Sequence, residues 1–189
     1  MTVSVISRKD AVSTTWSGGT TTEFYLFPRD GSYKERRFDL RISSATIDLE
    51  ASDFTLLPDY QRIITPLEGG FTLTYKETGE KVTLAPLEED FFDGAYHTHS
   101  IGKAIDFNVM YKKGMHAAYS VINASKKFGL ADFRFLYVPF IDAKDLTGST
   151  LNEHSLTRDT LYVSDDRSDA FVLALKKPVS LIYVSVRKA

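Results

Sequence analysis

The feature that most limits the folds open to this chain is a succession of about a dozen short runs that alternate apolar and polar residues. Each is stopped by Gly, Pro or Asp. In IDFNVM, Asp106 and Asn108 alternate with Ile105, Phe107 and Val109. Successive side chains on a strand point to opposite faces, so one face of this run is apolar and the other carries an acid and an amide. FDLRISSATIDL repeats the pattern, with Phe38, Leu40 and Ile42 on one face and Arg41, Ser43 and Ala45 on the other. In TTTEFYL, Thr21, Glu23 and Tyr25 are expected on one face and Thr20, Thr22, Phe24 and Leu26 on the other. RIITPLEGGFTLTY reads as two strands around a tight turn at Glu68-Gly69-Gly70, and ASDFTLLPDYQ as a loop. HAAYSVINASKKF comes nearest to a helix, but its apolar residues fit a helical period poorly.

Short strands at close intervals imply an all-β sandwich or barrel. The runs exceed what one small barrel needs, and 189 residues can hold two. Two stacked barrels or one double sandwich, with a joint near Lys112 to Met115, is the economical organisation.

Composition narrows the function. A formal net charge of -2, with basic residues clustered no further than pairs such as Arg36-Arg37 and Lys112-Lys113, argues against nucleic acid as a partner. The absence of cysteine rules out disulfides, thiolate nucleophiles and cysteine zinc sites. MTVSVISRKD lacks the apolar core of a signal peptide, and no apolar run approaches the roughly 18 residues of a membrane span. These features lead us to expect a soluble, cytoplasmic protein with no membrane partner.

Several catalytic motifs are missing. No Gly-x-Ser-x-Gly elbow occurs, and WSGGTTT lacks the Lys and following helix of a phosphate loop. Glu88-Glu89-Asp90 reads as a solvated turn, and His116 and His154 as ordinary loop or strand residues. His97-Thr98-His99 would place two imidazoles on one strand face, and imidazole is a common metal ligand. A metal usually needs at least three protein ligands. Glu23 or Asp106 could complete such a set; surface histidines at a strand end are the commoner arrangement.

WSGGTTTE, RFDLRISSATI, DFTLLPDYQRIITPLEGG, FFDG and IDFNVMYKKG, in that order and spacing, resemble the HutD/Ves family of bicupins. The resemblance covers roughly the first 115 residues. It implies two cupin-like, jelly-roll-type β-barrels in one chain: residues 1–113 carrying the motifs, and a degenerate second barrel at 114–189. The chain departs from the common family form at Leu40, where Trp is frequent, and at Asp59 and Gln61, where Gly and Asp are frequent. The family is associated with histidine utilisation without an established reaction; His97-Thr98-His99 lacks the Gly and Glu spacing and the later His of metal-binding cupins, so the resemblance points away from a metal enzyme, and no cofactor is expected.

The motif positions Arg41, Arg62, Glu23, Asp106 and Asn108 fall on strands of the same barrel. If they converge, two guanidinium forks suited to a carboxylate or phosphate meet several acceptors. Ser43 and Thr21 would add neutral hydrogen bonds, and Trp16 an apolar wall or lid. The expected function is then metal-free binding of a small organic acid in a sensing or regulatory role. The same residues could instead be structural ion pairs, Arg41 with Asp106 and Arg62 with Glu23 or the reverse. A metal enzyme using His97 and His99, and an interaction protein forming a homodimer through its strands, are the alternatives.

Overall fold

The computed structural model describes residues 3–188. In chain order, the strands begin with β1 (Ser4–Ser7), β2 (Val12–Trp16), β3 (Gly19–Phe27), β4 (Leu40–Ile47), β5 (Ala51–Asp53) and β6 (Tyr60–Gly69). They continue with β7 (Phe71–Tyr75), β8 (Lys81–Leu84), β9 (Asp90–Asp93), β10 (Thr98–Ile101) and β11 (Ala104–Lys112). The rest are β12 (His116–Ile122), β13 (Lys126–Lys127), β14 (Phe133–Val138), β15 (Thr150–Leu151), β16 (His154–Ser155), β17 (Thr160–Ser164), β18 (Val172–Ala174) and β19 (Leu181–Arg187). Helix is confined to a single 3-10 turn at Arg8–Asp10 and the short α1 (Ala143–Leu146) among the described residues.

The chain divides into two compact units: Ala11–Lys113, and the stretch up to Asp10 together with that from Gly114 onward. In the first, a six-stranded antiparallel sheet (β2-β3-β4-β11-β6-β9) packs on a four-stranded one (β5-β10-β7-β8). Ile47, Ile64, Phe92 and Ala104 from the larger sheet meet Phe71, Leu73, Tyr75 and Leu84 from the smaller in one buried cluster. A second cluster gathers Phe38, Leu57, Tyr60 and Met110, with the Phe38 and Tyr60 rings stacked 4.3 Å apart. The predicted turn after β6 is present: Gly69 has φ 76°, and a Cβ there would meet the Lys103 carbonyl at 2.3 Å, so glycine is required.

The second unit repeats the two-sheet plan, with β1-β17-β14-β19-β12 facing β13-β18-β15-β16. Leu136, Val138, Tyr162 and Leu181 from one sheet pack with Leu151 and Leu173 from the other. Both units are therefore jelly-roll-type sandwiches whose inward faces supply the core.

Two expectations change. The segment read as a loop contains β5, which pairs with β10 through Asp53 opposite His99. The opening strand, expected in the first barrel, belongs to the second unit: Ser4 lies opposite Val163 and Ser7 opposite Thr160. Val3 joins the second unit's core. Arg8 Nε donates to Asp159 Oδ2 at 2.5 Å, and its backbone N–H donates to the Asp159 carbonyl at 3.1 Å. The fully buried Tyr137 hydroxyl donates to Asp159 Oδ1 at 2.6 Å. Burial, reinforced by the Asp159 charge, pushes the Tyr137 pKa upward, so the phenol stays a donor.

Asp159→Ala should destabilise this unit by about 2–3 kcal/mol, because a buried phenol and a half-buried guanidinium lose their acceptor. The check is urea denaturation combined with amide exchange. Exchange should accelerate at Ser4–Ser7 and stay unchanged in β11.

Candidate functional site

β11 is hydrogen-bonded on both sides, and its register arranges the site. Met110 lies opposite Arg41 on β4 and Arg62 on β6; Asn108 lies opposite Ser43 and Ile64; Asp106 lies opposite Ala45 and Pro66. Directly opposed residues share a face, so three rows of side chains cross the sheet. Further out, Glu23 opposes Ser43, Thr21 opposes Ala45, and Thr14 opposes Thr21.

One alternation fails. Between Glu23 and Tyr25 the β3–β4 register shifts, so Tyr25 opposes Ile42 and Leu26 opposes Arg41. An extra residue in a strand reverses the parity of everything after it. Tyr25 therefore leaves the face of Glu23, and Leu26 joins the row of Arg41.

The rows open into a cavity of about 260 Å³. Trp16, Thr21, Arg41, Ser43, Arg62, Asp106 and Asn108, all expected from the sequence, line it. Glu23 stands behind the wall, where its Oε2 accepts from Arg41 Nε at 2.7 Å. Arg41 Nη1 also donates to Ser43 Oγ at 3.2 Å, and its guanidinium lies 4.0 Å from the Tyr33 ring centroid. Arg41 is thus held by a carboxylate, a hydroxyl and an aromatic face.

Arg62 is held differently. Its guanidinium sits over Phe54 and Phe92, at 4.8 and 5.0 Å from their centroids, and its buried Nε has no hydrogen-bond partner. Burial lowers its pKa to about 10; attraction from Tyr33 and Asp106 resists the shift, and repulsion from Arg41 adds to it. Arg62 therefore remains cationic at neutral pH. Asp106 Oδ1 accepts the Ala45 N–H at 2.8 Å. Asn108 is 5% exposed, and its Oδ1 is buried without a partner. A buried donor and a buried acceptor in one cavity are thus both unsatisfied.

The two histidines diverge. His97 precedes β10, and its Nδ1 lies 2.5 Å from Glu77 Oε1; His99 Nδ1 lies 2.9 Å from Asp53 Oδ1. The Glu77 and Asp53 pKa values are lowered chiefly by these hydrogen bonds. Among the described residues no group of three or more His, Asp or Glu side chains gathers as metal ligands.

Tyr33, Asp53, Phe54 and Met110 also line the cavity and were missed from the sequence. Tyr33 and Phe54 lie outside strands, where no periodicity reports direction. Met110 continues the alternation of Asp106 and Asn108, which was the signal that could have found it.

Two jelly-roll units in one chain, the first enclosing a polar pocket, define a bicupin. The HutD family model matches residues 8–181, and the chain belongs to that family. It is similar to the structure of HutD from Pseudomonas fluorescens SBW25 in a formate condition, with 22% identity, TM-score 0.81 and full coverage of both chains. A conserved protein of unknown function, PA5104 from Pseudomonas aeruginosa PAO1, is similar at 21% identity, TM-score 0.82 and full coverage of both chains. More distantly, the bacterial pirin YhhW from Escherichia coli in complex with nickel(II) shares the fold at 9% identity and TM-score 0.66, again over all of both chains. No curated protein matched this chain.

The Arg41–Glu23 pair supports the pocket wall. Glu23→Ala should destabilise the protein by about 2–4 kcal/mol by stranding a buried guanidinium. The double variant Glu23→Ala/Arg41→Met should recover at least about half of that loss. Chemical denaturation of the two single variants and the double variant measures both effects.

Proposed function

We propose that this HutD-family bicupin is a metal-free binding protein whose first barrel takes up a small carboxylic acid in a sensing or regulatory role. An intermediate of histidine or other amino-acid catabolism is the ligand class in keeping with the family. The observation that carries this reading is the state of Arg62: a cation that is 5% exposed, faces a cavity and has an unsatisfied Nε.

Arg41 is fixed by a bonded carboxylate, and the fully buried Arg134 of the other unit, whose Nε also lacks a partner, is fixed through Nη2 by Ser164 Oγ and the Asp166 carbonyl. Arg62 instead rests on two aromatic faces and keeps donors for an incoming acceptor. A carboxylate accepts a guanidinium fork with two parallel hydrogen bonds and would relieve the burial of an unsatisfied charge. An open polar cavity also speaks against a solid barrel serving only as an interaction scaffold. The metal-enzyme reading draws no support from His97 and His99, which turn to separate carboxylates.

The test is thermal denaturation with a panel of small monocarboxylic acids. A true ligand at about 100 times its Kd should raise Tm by roughly 5–10 °C. Arg62→Lys keeps the charge but loses the fork, and should weaken binding by at least about 10-fold; Arg62→Met should remove the response. An unchanged response in both variants would overturn the proposal. Trp16, the only tryptophan, lines the cavity and gives an independent fluorescence readout.

A further inference from the structure

The two buried pocket atoms without a hydrogen-bond partner, Arg62 Nε and Asn108 Oδ1, belong to adjacent rows of the sheet, and the row of Asn108 also carries a hydroxyl. Arg41 is tied to Glu23, which leaves Arg62 as the cation for a carboxylate. Arg62 lies in the row of Met110, and Asn108 lies in the next row along β11, directly opposite Ser43. Two residues along a strand span about 7 Å between Cα atoms, so side chains in neighbouring rows of one face can reach the same small molecule. Asp106, one row further, is already engaged, by the Ala45 N–H among others. The unmet groups are therefore those of Arg62 and of the Ser43–Asn108 row.

That row is chemically specific. Ser43 and Asn108 are 2% and 5% exposed, and both line the cavity. Asn108 Oδ1 is an acceptor with no donor. Ser43 Oγ accepts from Arg41 Nη1 at 3.2 Å, and a hydroxyl that accepts keeps its own proton to donate. The row thus offers one acceptor and one donor side by side. The group that answers both is a hydroxyl, which donates and accepts through a single oxygen. A methyl group answers neither. An ammonium group only donates, so it would leave the Ser43 proton without an acceptor and add a third cation beside Arg41 and Arg62.

We propose, resting on the carboxylate reading above, that the pocket selects a hydroxy carboxylic acid. Its carboxylate lies on Arg62, and a hydroxyl on carbon 2 or 3 is set between Asn108 Oδ1 and the Ser43 hydroxyl. Adjacent rows place the two contacts a short step apart, which suits a hydroxyl near the carboxylate better than one at the far end of a chain. With both groups fixed, the remaining substituent of a chiral acid meets a different part of the wall in each hand, so the enantiomers should differ in affinity.

The experiment compares, by calorimetry and by Trp16 fluorescence, acids of one shape that differ in a single group. Each enantiomer of lactate is set against isobutyrate and against the alanine of the same hand, and 3-hydroxybutyrate against 3-methylbutyrate. At least one hydroxy acid should bind about 10-fold or more tightly than its methyl counterpart, and the favoured lactate more tightly than its alanine. Asn108→Leu keeps the approximate size of the side chain and removes the acceptor. It should bring the two members of the favoured pair within about 3-fold of each other. Because it replaces a buried amide whose oxygen has no partner, it should not lower the Tm. A methyl acid or an alanine that binds as tightly as the hydroxy acid, or a preference that survives Asn108→Leu, overturns this inference and leaves the carboxylate pocket standing. If no acid in the series binds the wild-type protein, both readings fall. Should Asn108→Leu fail to fold, the wild-type comparison of matched acids decides the question alone.

Discussion

The hydrogen-bonded position of β11 between β4 and β6 is the constraint on which the rest of the first unit depends. With ladders on both sides, the strand cannot slide relative to either neighbour without breaking a whole set of backbone bonds. Its face alternates with period two, so a slip of one residue would send Asp106, Asn108 and Met110 to the opposite face and bring Phe107 and Val109 into the pocket. The apolar residues supply the penalty for such a slip: Phe107 and Val109 are buried on one face, and Ile64 and Ala104 belong to the inter-sheet cluster on the other. Register is thus enforced by apolar packing, while the pocket gains its polar rows from the same alternation.

The pocket treats its two arginines unequally. Arg41 is tied into the wall by Glu23, Ser43 and the Tyr33 ring, so it behaves as a structural support that also borders the cavity. Arg62 lies against Phe54 and Phe92, which orient the guanidinium plane without consuming its N–H donors. One charge is compensated within the fold, and the other is carried at a cost. Buried polar groups left unsatisfied are rare in folded proteins, and two of them, Arg62 Nε and Asn108 Oδ1, border this one cavity.

Much of this site is legible in the sequence. The alternation of Arg41 with Leu40 and Ile42, and of Asp106 and Asn108 with Phe107 and Val109, already separates a polar from an apolar face on two strands. The order of motifs places Trp16, Thr21, Glu23 and Arg62 in the same barrel. Each departure from that pattern has its own physical cause. Tyr25 was assigned to the wrong face because the register shift after Glu23 leaves no mark in composition. β5 was missed because three residues are too few to show a period. Tyr33 and Phe54 were missed because the direction of a side chain outside a strand depends on tertiary contacts.

The sequence by itself determined the all-β class, the polar and apolar faces of the central strands, and the set of charged residues available to a pocket. These follow from local rules: period-two alternation, turn residues, and the ordered motifs of the HutD family. Only the tertiary structure decided which charges pair. Glu23 went to Arg41, Asp106 took the Ala45 N–H, and His97 and His99 parted to Glu77 and Asp53. It also decided that β1 joins a strand more than 150 residues away in the chain. Contacts at such separation depend on how sheets are ordered and registered, and a one-dimensional pattern carries the faces of strands but not their neighbours.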